Sequence, residues 1–148
     1  MKAFQNMMRL LRLSCLVAVL LLPAMGFAQD EAEKKLEAFI VEMNGRCPLE
    51  CLDNWAIDAF KIQDDTAAVE LIFPSILGPF LQALTVDTDN AKRVWVRHMS
   101  SMLGESWDQF VGLLDAAQDT FVIEFSQGGD FPVATMTFSP DDLIKWKK

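Results

Sequence analysis

The chain has 148 residues, enough for one domain, and carries a formal net charge of −8. All 21 acids lie after residue 28, whereas three of the 13 bases lie before it, so the part beyond residue 28 keeps ten bases and a net charge of −11. Such a surface offers no counter-charge to phosphate, which argues against nucleic acid and anionic lipid as partners, and the abundance of Phe, Leu, Ile and Val argues against disorder.

Residues 1–28 read as a secretory signal peptide. Lys2, Arg9 and Arg12 form a basic start, Leu13 to Leu22 an apolar run, and Pro23 a break. Gly26 and Ala28 then put small residues at −3 and −1 of a cleavage site. The rival reading is an uncleaved anchor, for which the apolar run is short. Lipidation at Cys15 fits poorly, because Cys15 stands near the start of that run. The expectation is one domain over residues 29–148, with no stable membrane span after cleavage.

Asp30 to Met43 predicts an amphipathic helix, with Leu36, Phe39, Ile40 and Met43 on one face and Asp30 with Glu33 as a capping box. Asn44-Gly45 ends it. Trp55–Ile62 and Thr66–Phe73 predict two strands of an antiparallel hairpin, joined by Gln63-Asp64-Asp65. Pro74 to Leu84 is apolar and broken by prolines. Its Ile76, Leu77, Phe80 and Leu81 either pack over an end of the sheet or form a ligand or partner surface.

Asp89 to Leu103 predicts a second helix, with Ala91, Val94, Trp95, His98, Met99 and Met102 inward; a strand through residues 93–98 competes. Ser106 to Asp115 predicts a third, capped by Ser106 and Gln109, with Trp107, Phe110, Val111 and Leu114 inward. A second hairpin follows over Thr120–Ser126 and Phe131–Phe138, turning at Gln127-Gly128-Gly129-Asp130. Ser139-Pro140 starts a last helix. Phe60 with Phe125, Leu71 with Met136, and Phe73 with Phe138 match at one offset, which raises a duplication. The expected fold is α+β: a four-stranded antiparallel sheet built from two hairpins, with helices packed on one face.

The chemistry-bearing stretch is Asn44 to Cys51. In an exported protein Cys47 and Cys51 default to a disulfide, and a four-residue separation permits one. Two free thiols and a redox pair are the alternatives. For the redox reading, Pro48 and Glu50 would place Cys47 at a helix N-cap, which lowers a thiol pKa. A metal site would add His98, the one histidine, to Cys47 and Cys51; a core or rim histidine explains it more simply. Asp64-Asp65, Asp87, Asp89 and Asp141-Asp142 suit turns and helix starts. No nucleophile elbow, phosphate loop or dinucleotide fingerprint is present, so no catalytic residue and no cofactor is expected.

The order of helix, Asn44-x-x-Cys47-Pro48, hairpin, helical middle, hairpin and short helix resembles small uncharacterised exported bacterial domains. Cys51 departs from the single cysteine of that pattern. The resemblance implies a fold and a compartment and no reaction. Together these readings describe an exported, periplasmic or secreted, non-enzymatic domain that binds a protein or a small apolar ligand. The alternative is a thiol-disulfide or metal-handling protein using Cys47 and Cys51.

Overall fold

A computed structural model describes residues 26–50, 55–73, 88–129 and 131–146. Helix α1 spans 26–44. Its stripe of Ala32, Leu36, Phe39, Ile40 and Met43 recurs at helical spacing and is buried. Because the helix continues back through Asp30, the expected capping box does not form there.

Strands β1 (Leu49–Glu50), β2 (Ala56–Gln63), β3 (Thr66–Ile72), β4 (Thr120–Ser126) and β5 (Ala134–Phe138) form one sheet in the order β1-β2-β3-β4-β5. Helices α2 (Thr88–Leu103) and α3 (Glu105–Ala117) lie in sequence between β3 and β4, and α4 (Pro140–Trp146) follows β5. Both hairpins form as the alternation predicts. The sheet differs from the expectation in two ways: β1 adds a fifth strand, and β3 pairs with β4 in parallel, from Thr66↔Thr120 to Ile72↔Ser126. Hairpin rules fix each antiparallel pair, not how two hairpins meet. The two intervening helices supply the long crossover that a parallel pair needs.

Period-2 alternation, shifted once in β2 by an irregularity between Ile57 and Ala59, puts Ile57, Phe60, Ala67, Val69, Leu71, Phe73, Phe121, Ile123, Phe125, Met136 and Phe138 in the core. The matched pairs of the two halves are all such inward positions. Since β2 opposes β3 and β3 parallels β4, β2 and β4 run in opposite directions.

The core is strongly aromatic. Phe110 stacks on Phe39 (5.5 Å between centroids) and meets Phe121 edge-on (5.3 Å). A second group joins Trp55, Phe73, Trp95 and Phe125. Edge-to-face and offset pairs of this kind add about 0.5–1.5 kcal/mol each beyond area burial.

On α2 the inward stripe is Ala91, Trp95, Val96 and Met99. Val94, expected inward, is exposed, and Val96 replaces it. The strand alternative for residues 93–98 does not form. Gly104, at φ +55°, separates α2 from α3 without a loop. It also stands at the N-cap of α3, so Ser106 lies inside the helix and the expected Ser106–Gln109 box is absent. At α4 the expected cap does form: Asp142 N–H donates to Ser139 Oγ (3.2 Å), and Ser139 N–H donates to Asp142 Oδ2 (3.3 Å).

Candidate functional site

Asn44 ends α1 with its amide turned onto strand β2. Its Nδ2 donates to the Phe60 carbonyl (2.6 Å), and the Phe60 N–H donates to its Oδ1 (2.7 Å). Among the described residues, strand β1 pairs with only Ala56 and Ile57 of β2, and the Asn44 amide covers that edge at Phe60. Arg46 Nη1 reaches Ser106 Oγ on α3 at 3.4 Å. This segment is therefore a clamp between helix and sheet.

Cys47 follows as a free, half-buried thiol, and the Cys47–Pro48 peptide is cis. The expected helix N-cap is absent, because Leu49–Glu50 is a strand. Burial, then the charge of Asp58, push the thiol pKa up, against a smaller opposing pull from Arg46. That is the opposite of an activated thiolate. Cys51 lies outside the described residues, as do Ile76, Leu77, Phe80 and Leu81. His98 is half-buried and stacks on Trp55 (4.9 Å, 11°), the rim position weighed for it, with a buried Nε2 that has no hydrogen-bond partner. Of the four tryptophans, Trp95, Trp107 and Trp146 are buried and Trp55 is half-buried.

The sheet face turned away from the core carries Lys61, whose Nζ bridges Glu70 (2.7 Å) and Glu124 (3.1 Å) across three neighbouring strands. The Glu70 hydrogen bond chiefly raises the Lys61 pKa. A shallow cleft of about 320 Å³ lies there, lined by Lys61, Gln63, Asp64, Thr66, Ala68 and Glu124. A second, of about 250 Å³, is lined by Arg93, Arg97, Lys145 and Trp146.

The most unusual constellation lies where β3 and β4 begin. Glu33 of α1, Asp65 of the β2–β3 turn and Asp119 of the α3–β4 turn each bring a carboxylate oxygen within 4.8 Å of the others. Backbone geometry fixes two of them. The Thr120 N–H donates to the Asp65 carbonyl (2.9 Å), and the parallel ladder starts one residue later on β3. Gln118 closes α3 in the left-handed conformation, and the Asp119 N–H returns to Leu114 O (3.1 Å). Glu33 is positioned by α1. One turn earlier on the same face, Gln29 Nε2 donates to the Ala117 carbonyl (3.1 Å).

Asp119 is 2% exposed, and its buried Oδ2 has no hydrogen-bond partner. Its pKa is raised to about 6, first by burial, then by Glu33 and Asp65. Sequence reasoning missed this trio. Each acid sits at a helix or turn position that needs no special explanation, and only the parallel β3–β4 pairing brings Asp65 beside Asp119.

No protein-family model and no curated protein matches the chain. The fold is similar to the crystal structure of the putative secreted protein PA3611 from Pseudomonas aeruginosa. The TM-score is 0.56 and the identity 14%, over 78% of this chain and 96% of that one. Among the described residues no helix is long and apolar enough to cross a membrane.

Proposed function

We propose that the chain is an exported, periplasmic, non-enzymatic domain that acts by binding a protein partner. The observation that carries the reading is the N-terminal pattern: the basic start, the apolar run, Pro23, and small residues before Gln29. Two structural facts support it. Residues 26–28 are exposed, and the first residue of α1 tied to the rest of the fold is Gln29, so cleavage after Ala28 removes no packed side chain among those described. The fold is also similar to that of PA3611, which is described as a putative secreted protein.

The binding surface in this reading is the apolar stretch with Ile76, Leu77, Phe80 and Leu81. Both clefts are lined mainly by charged and polar side chains, which favours a protein over a small apolar ligand. A thiol-based role for Cys47 with Cys51 is the rival, and the raised Cys47 pKa weighs against it.

Fractionation with N-terminal sequencing tests the export reading. A chain beginning at Gln29 in the periplasmic fraction is expected; an intact N-terminus at the membrane would overturn it. A photo-crosslinker at Leu77 should give a discrete adduct that a crosslinker at Asp115 does not. Equal labelling from both positions would remove the binding surface.

A further inference from the structure

We propose that Glu33, Asp65 and Asp119 form a binding site for a hard divalent cation of the calcium class. The inference rests on this junction alone and stands whether or not the chain is exported.

Oxygen is the ligand such cations take, and calcium accepts carboxylates, carbonyls and waters at about 2.3–2.6 Å. Three carboxylate oxygens that lie within 4.8 Å of one another can surround one such ion. Three separate segments supply them, so the group arises from tertiary structure and not from a local run of acids. The hydrogen bonds from Thr120 to Asp65, from Asp119 to Leu114 and from Gln29 to Ala117 hold those segments together. Less ordering is then left for the moment of binding.

The second, independent observation is Asp119 itself. A carboxylate that is 2% exposed with an unpartnered Oδ2 is costly to keep charged. Here it faces two more acids. Among the described residues, no lysine or arginine stands within ion-pair distance of any of the three. The contrast with the sheet face is direct, since Glu70 and Glu124 share the ammonium of Lys61. The C-terminal end of α3, at Ala117 and Gln118, adds the negative end of a helix dipole to the same place. Burial, Glu33 and Asp65 all push the Asp119 pKa upward. A cation at this point reverses each of these costs.

Magnesium fits less well, because it demands near-octahedral geometry at about 2.0–2.1 Å and keeps several waters, whereas Asp119 is buried. With Glu33 half-buried and Asp65 exposed, the site belongs with calcium modules of about 10⁻⁴–10⁻³ M affinity.

Calcium chloride titrated into the chelator-stripped protein near neutral pH tests the proposal by calorimetry, with thermal melts alongside. One saturable site in that range is expected, with a melting temperature that rises to a plateau. Asp119→Asn should abolish saturable binding, and Glu33→Gln should weaken it by about tenfold, or 1.4 kcal/mol. Glu70→Gln, on the sheet face, should leave the affinity unchanged. If Asp119→Asn fails to fold, Glu33→Gln and Asp65→Asn decide. No saturable response up to about 10 mM calcium, well above the weakest affinity of the class, or equal affinity in wild type and the junction variants, would overturn the site.

Discussion

Replacing Asn44 by alanine should destabilise the fold more than any other exposed polar substitution. The side chain makes two short hydrogen bonds to one backbone unit, with Phe60 N–H and Phe60 C=O. Each contributes about 1 kcal/mol net, and the partly buried Phe60 groups left behind cost about 1–3 kcal/mol more if water does not reach them. Alanine is the better helix former, which returns roughly 0.5 kcal/mol. The expected loss is therefore about 2–4 kcal/mol. Urea unfolding followed by tryptophan fluorescence reads it. With a slope of about 1–2 kcal/mol/M, the midpoint should fall by roughly 1–4 M at unchanged slope. Asn44→Asp keeps the acceptor for the Phe60 N–H but turns a carboxylate on the Phe60 carbonyl, so it should not rescue. A loss under about 0.5 kcal/mol, the range of ordinary surface changes, would refute the clamp.

Three further outcomes follow from the same reasoning. In chelator, the folded Asp119 pKa of about 6 stands above its ordinary value of 3.8, so the native state holds more protons between those limits. This carboxyl costs nothing below that window, and stability falls as pH rises through it. Asp119→Asn removes the cost and should be more stable than wild type near neutral pH by about 1–3 kcal/mol, with the difference vanishing below about pH 4 in paired urea titrations. Ser139→Ala removes the α4 N-cap and should lower unfolding free energy by about 1 kcal/mol, measured the same way. Alkylation of Cys47 should be slower than that of a model thiol at neutral pH and should speed up on unfolding. Mass spectrometry of the air-oxidised protein then reads directly whether Cys47 and Cys51 are joined.

Local signals in the sequence carried most of the elements. The stripe of Leu36, Phe39, Ile40 and Met43, the alternation of Val69, Leu71 and Phe73, and the Ser139-Pro140 start all correspond to structure because each is decided within a turn or a strand. Capping was less legible. Asp30 and Ser106 have the right residues at the right spacing, yet α1 runs past the first and Gly104 begins α3 before the second. The expected sheet differs from the observed one where pairing is non-local, at β3 with β4. The same cause hid the carboxylate trio, since Glu33, Asp65 and Asp119 meet only after that pairing. The sequence shows Asn44 only as a helix stop, and its larger part, covering the β2 edge, needs the position of Phe60.

The junction of Glu33, Asp65 and Asp119 is tested most directly by the side-chain carboxyl titration of Asp119, followed by NMR with and without calcium. A midpoint of about 6 is expected in chelator, raised by burial and by the two neighbouring acids. A midpoint below the ordinary 3.8 is expected when calcium is bound. An ordinary midpoint in chelator that calcium does not move would contradict the site.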